Sequence, residues 1–436
     1  MFRNWIIRTV WALGVLSAQS ATYHVDCNRP DNTGDGLSWA TAKRTIQAAV
    51  NAAASGDTIR VGPGTYGEGT TVTPSGSLMN RVVCTKNVTI ESTDGAAATI
   101  IKGAFDTGSG DPYGRGPNAV RCVYMTFGTL QGFTLTGGAT GGVNTENNDN
   151  RGGGFLSIYV ATPLVYDCIV SNNASHRAGG AFQGTFHRCL IAQNYASQNG
   201  SGVRGSRLYD SLIVFNTGLG AVAYSQNTND VVNCTIARNS NKGLEQASAA
   251  NSIIVENGST GNQGNYYVAN CLIDFTPTSG YGVNNITSGG ARFVDSANGD
   301  FRLLADSPAL DAGNSSMTGF APAPSERTDV YGLPRVQGAW TGSRRGRGSL
   351  PRRGRHGLSL GQRHARSGRF LPLAHPADPA RLHRHARCGC GPAPLYGERR
   401  QAARQRQHID AQPDAARRLC RAGGLSGGEL CGCRGR

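Results

Sequence analysis

The middle of the chain repeats one short pattern of apolar and polar positions. Six segments carry it: CIVSNN from Cys168, CLIAQN from Cys189, SLIVFN from Ser211, CTIARN from Cys234, SIIVEN from Ser252 and CLIDFT from Cys271. They start 21, 22, 23, 18 and 19 residues apart, and FTLTGG from Phe133 is a weaker copy. The first and third positions of each segment share the parity of an extended strand, so both face one way. These pairs are Cys168/Val170, Cys189/Ile191, Ser211/Ile213, Cys234/Ile236, Ser252/Ile254 and Cys271/Ile273. A small or thiol side chain beside a branched aliphatic one predicts a buried strand face. The second position (Ile169, Leu190, Leu212, Thr235, Ile253, Leu272) points outward yet is mostly apolar. It calls for a covering loop or a partner-binding strip, and the pattern leaves both open.

The sixth position is Asn in five copies: Asn173, Asn194, Asn216, Asn239 and Asn257. Asn suits a tight turn because it tolerates left-handed backbone. Stacked about 4.8 Å apart, such amides can also bond one another in a ladder. A glycine-marked element follows the first four of these Asn: GGAF at 179–182, SGV at 201–203, LGAVA at 219–223 and KGL at 242–244. Its outward positions are read as Phe182, Arg204, Val222 and Glu245, with Arg204 and Glu245 two coils apart. Each coil is thus two or three short strands in about 20 residues, without the 3.6-residue period of a helical repeat. A fixed pattern at this spacing predicts stacked coils rather than an antiparallel sandwich. The clear helical stripe is near the start, in AKRTIQAAVNAAA (42–54), where Ile46, Ala49, Val50 and Ala53 line one face before Ser55-Gly56. A helix there, feeding the strand Thr58–Val61, would plug the open end of the stack.

Composition sharpens this. The formal charge of +15 is uneven: residues 341–436 hold 21 Arg and five acids, while the first 340 residues balance at 22 basic and 23 acidic. The main part is therefore not a basic protein, and no nucleic-acid partner is expected. The first residues, MFRNWIIRTVWALGVLSAQSA, have basic Arg3 and Arg8, a short apolar stretch and small residues at Ala18 and Ser20. They read as a secretory signal, and no run is long enough to span a membrane. Residues 339–436, rich in Arg, Gly, Ala and Pro, hold too few aliphatics for a core. They read as an Arg-rich arm or as out-of-frame translation of G/C-rich DNA. The second reading is favoured because Trp340-Thr341, shifted by two nucleotides, encodes an aliphatic residue followed by Asp.

Tyr23–Tyr66, followed by the C-x-I-x-x-N coils, resembles secreted right-handed parallel β-helix proteins of the pectate-lyase-like superfamily. Phe293–Asn314 and Thr328–Gly338 resemble the C-terminal end of such domains in the choice-of-anchor type. The resemblance implies an all-β, right-handed parallel β-helix with a short N-terminal capping helix. The expected layout is a signal peptide at 1–21, a cap at 22–66, coils at 67–292, a C-terminal end at 293–338 and the Arg-rich tail at 339–436. It implies an extracellular or cell-surface monomer that interacts with polysaccharide by binding or adhesion. The alternative is a lyase or hydrolase on acidic polysaccharide, and a structural spacer comes third. The catalytic sets of the polygalacturonase-like and pectate-lyase-like relatives are mostly missing from this sequence. Candidate catalytic residues are His176, Arg177, Arg204 and Glu245, and candidate sugar-binding residues are Phe182, Tyr224 and Lys242. Glu146 and Asp149 are candidate Ca²⁺ ligands. Asp26, Asp31 and Asp35 read as Asx turns more readily than as a calcium loop. The odd number of cysteines before the tail favours buried thiols, while Cys168 and Cys189 stack on adjacent coils at a separation a disulfide tolerates.

Overall fold

The computed structural model describes residues 20–142, 147–159, 163–225, 230–259, 266–310 and 312–314. The expected signal peptide, Glu146 and the tail therefore lie outside the described residues, apart from Ser20 and Ala21. The coils stack as the repeat predicts. Three long sheets run the length of the stack, with 11, nine and eight strands, and a fourth has three. In the first two, strands are neighbours in the order in which successive coils supply them, and all pairs are parallel. Short parallel strands joined in this order wind as a β-helix, right-handed as parallel crossovers are.

Register places like over like. Ile169, Leu190, Leu212, Thr235, Ile253 and Leu272 pair in sequence on the second sheet. Val170, Ile191, Ile213, Ile236, Ile254 and Ile273 point into one continuous core with Cys168, Cys189, Cys234 and Cys271. The seven described cysteines are free thiols. Burial pushes the Cys168 thiol up to about 12, so it is packing material rather than a nucleophile.

The asparagines form the ladder. Nδ2 of Asn173, Asn194, Asn216 and Asn239 donates to Oδ1 of the next Asn at 3.0, 3.0, 3.0 and 2.9 Å. The turn itself is built differently from expectation. Its left-handed residue is the one before each Asn: Asn172, Gln193, Phe215, Arg238 and Glu256, at φ from 54 to 57°. The Asn side chain is thereby turned inward, where its amide satisfies backbone groups on neighbouring coils.

The helix spans Ile46–Ala52, shorter than the apolar stripe. Thr45 caps it by accepting from Ala48 N, and Asp57 ends it by accepting from Ala54 N. Ile46, Ala49, Val50 and Ala53 are buried on the core end, so the stripe does what it predicts.

The outward apolar strip is covered from within the chain. Phe293–Asp295 and Asp300–Leu303 form an antiparallel hairpin. Phe293, Phe301 and Ala291 pack on Leu190, Leu212, Val214 and Leu272 in a second core outside the sheet. Of the two explanations left open, the covering segment is the one that holds on this stretch. Among the described residues, no helix is long and apolar enough to cross a membrane.

Candidate functional site

The outer face of the third sheet gathers most of the candidates. Its pairings run Tyr124–Leu156–Phe182–Arg204–Ala223–Glu245. Val222 is not in this column, contrary to expectation. It pairs with Val203 and Leu244 and is buried in the core. The reason is local: Gly220 sits opposite Ser201 rather than Gly202, since Ser201 N donates to the Gly220 carbonyl and Gly202 N to that of Ala221. The Gly motif of this coil is offset by one residue, and a one-residue slip exchanges faces. Arg204 and Glu245 still stand two coils apart, now with small Ala223 between them.

Arginines and rings interleave on this face. The Arg151 guanidinium lies 4.8 Å from the Phe182 ring centre, and that of Arg204 lies 4.3 Å from Tyr224. Tyr224 follows its strand in left-handed backbone (φ 57°), which turns its ring back over Arg204. Arg204 Nη1 donates to Asn199 Oδ1 at 2.8 Å, and Asn199 Nδ2 donates to the Tyr224 hydroxyl at 3.2 Å. Arg177 pairs across coils with Arg151 and donates from Nε to Gln198 Oε1 at 2.6 Å. Among the described residues, Arg204 makes no ion pair within 4 Å. Burial lowers its pKa, and nearby Arg177 and Arg151 lower it further.

Glu245 is the acid on this face. Among the described residues, its Oε2 is buried without a hydrogen-bond partner, as is Gln183 Oε1. Burial raises the Glu245 carboxyl against the pull of Lys242 and Arg204. The carboxylate rests on Gly220, which has φ +47°, and a Cβ there would meet Oε2 at 2.4 Å. Glycine is thus required both for the turn and for the close approach.

His176 parts from its neighbour Arg177. Adjacent residues on extended backbone point opposite ways. His176 is buried, and its Nδ1 lies 2.8 Å from Ser197 Oγ. Arg115, from the 104–118 loop, donates to the same oxygen at 2.6 Å. Asp111 holds Arg115 at Nε and Nη2, while the stacked rings of Tyr113 and Tyr195 flank it. Burial, and then Arg115, lower the His176 pKa.

Asp149 is committed elsewhere. It accepts from Ser77 N, Ser77 Oγ and Leu78 N, and these bonds hold its carboxyl down against burial. No group of three or more His, Cys, Asp or Glu able to hold a metal is assembled among the described residues. Glu146, the other expected Ca²⁺ ligand, lies outside the described residues. Asp26, Asp31 and Asp35 each accept from a backbone N–H two residues on, as Asx turns do.

Sequence reasoning missed Arg115, Asn199, Gln183 and Ser197. Ser197 and Asn199 lie on Tyr195–Asn199, a strand longer than its counterparts, with a register shift between Ala196 and Asn199. That extra length was the available signal.

No protein-family model matches the chain, and no curated protein does. Similar solved structures include a pectate lyase, Pel9A, at 16% identity over 70% of this chain and 95% of that one, with a TM-score of 0.41. A rhamnogalacturonan lyase is similar at 15% identity over 58% and 68%, with a TM-score of 0.36. XylC, in complex with xylose, is similar at 12% identity over 62% and 67%, with a TM-score of 0.29. The parallel β-helix itself is read from this chain's own strand pairings.

Proposed function

We propose that the protein is a secreted or surface-attached β-helix that binds acidic polysaccharide along the outer face of its third sheet. The observation that carries this is the interleaving of Arg151, Arg177 and Arg204 with the rings of Phe182 and Tyr224 on successive coils. Guanidinium groups take carboxylates in pairs of hydrogen bonds, and aromatic faces take the apolar faces of sugars. Stacked coils repeat such groups at strand spacing, which suits an extended polymer lying along the axis. Hydrolysis needs two carboxylates, and on this face Glu245 is the one described. Calcium enters only as a variable to test.

Titration with a uronate polymer and with a neutral polymer checks the reading. Binding to the first should weaken with salt and fall about tenfold in Arg204→Ala, the loss of a charge-assisted bond. Equal affinity for both polymers, or an unchanged Arg204→Ala, sinks it. A second reading is β-elimination with Arg204 as base, favoured by the direction of its pKa shift. Absorbance from unsaturated products, with and without Ca²⁺, decides it. No signal leaves binding alone.

A further inference from the structure

Ser197, His176 and Arg115 form a connected set that the polymer-binding face does not use. Ser197 is exposed, while His176 behind it is buried. The hydrogen positions follow from chemistry. Arginine can only donate, so the 2.6 Å contact from Arg115 Nη1 occupies a lone pair of the Ser197 oxygen. In the tautomer whose Nδ1 is unprotonated, the hydroxyl hydrogen points at His176 Nδ1, 2.8 Å away. A serine whose proton is aimed at a neutral imidazole, with a cation against its oxygen, has the arrangement of an activated nucleophile.

We propose that Ser197 is a nucleophile toward small O-acyl esters, with His176 as its base and Arg115 as the cation that stabilises charge on oxygen. Ser197 Oγ bonds to the acyl carbon as its proton passes to His176 Nδ1. Arg115 faces the negative charge that develops. The bond from carbon to the ester oxygen breaks, and the leaving alcohol takes the proton from His176. Water then attacks the acyl-serine and gives its proton to His176; the bond from the acyl carbon to Ser197 Oγ breaks, Oγ takes that proton back, and the carboxylic acid leaves. Esters fit better than amides because the imidazole is a weak base here, held neutral by burial and by Arg115, and an alcohol leaves with less assistance than an amine. Ser197 is exposed beside the stacked rings of Tyr113 and Tyr195, so an ester of a larger alcohol reaches it from solvent.

The test uses the full chain with a fluorophosphonate probe and p-nitrophenyl acetate. Peptide mass spectrometry should find the phosphonyl group on Ser197, and Ser197→Ala should lose both label and hydrolysis. His176→Gln keeps a hydrogen-bonding side chain but removes the base, and should slow hydrolysis about 100-fold. Both variants should retain uronate-polymer binding, which reports folding and stands or falls separately from this proposal. Absence of label at Ser197 overturns the proposal, as does hydrolysis by Ser197→Ala at the parent rate. Full activity in His176→Gln overturns the role of His176 as base.

Discussion

Asn216→Ala tests the physical basis of the stack. Asn216 is fully buried, and its Oδ1 accepts from Asn194 N and Asn194 Nδ2, both at 3.0 Å. Its own Nδ2 reaches the Ile191 carbonyl, the Val214 carbonyl and Asn239 Oδ1 at 3.0, 3.1 and 3.0 Å. Alanine removes all five contacts. Asn239 Oδ1 still accepts from Asn216 N, and the two carbonyls keep a second lone pair for other donors. The stranded groups are the Asn194 backbone N–H and one hydrogen of its amide. Each buried donor left unsatisfied costs about 1–3 kcal/mol, so the expected loss is about 2–6 kcal/mol. In a stacked repeat this falls on the interface between neighbouring coils. Urea denaturation followed by circular dichroism should show the shift in midpoint. Amide exchange at Asn194 should quicken selectively. Asn257→Ala, at the partly exposed end of the ladder, should cost about 1–2 kcal/mol. A loss below about 1 kcal/mol in Asn216→Ala, with Asn194 exchange unchanged, refutes the view that the ladder holds the coils together.

Glu245→Gln should tighten uronate-polymer binding about two- to fivefold at neutral pH, because it removes the one negative group described on that face. The parent protein should approach the same affinity as pH falls and Glu245 protonates, whereas the variant should change less. For stability the sign follows from the raised carboxyl: the folded state holds its proton longer than the unfolded state. Stability from this group is therefore greatest in acid, and falls as pH rises from the ordinary Glu value to the raised one. Glu245→Gln should flatten that slope in a series of denaturation midpoints. Gly220→Ala should cost at least about 1–2 kcal/mol from backbone strain, and displace Glu245 as well. Thermal denaturation together with polymer titration reads both effects. Phe301→Ala should loosen the C-terminal hairpin, destabilise by about 2–4 kcal/mol and raise dye binding to the uncovered strip. An unchanged midpoint would mean that the hairpin does not hold the second core.

The C-x-I-x-x-N period by itself determined the winding. Strand parity assigned Cys168/Val170 and their equivalents to the core, and the shared sixth position of the motif stacked the asparagines. These are local rules repeated, so they were legible without coordinates. The same parity argument failed at Val222, because a one-residue offset in the glycine motif was invisible until hydrogen bonds fixed the register. Only the tertiary structure decided which side chains meet. Arg115 reaches Ser197 across 82 positions of sequence, and Asp149 is claimed by Ser77 across 72. His176 and Arg177, adjacent in the chain, serve different surfaces. Phe293 and Phe301 return to cover coils laid down about 100 residues earlier. Loop length, not strand pattern, sets these meetings. A loop's path depends on what it packs against, which no short window of sequence contains.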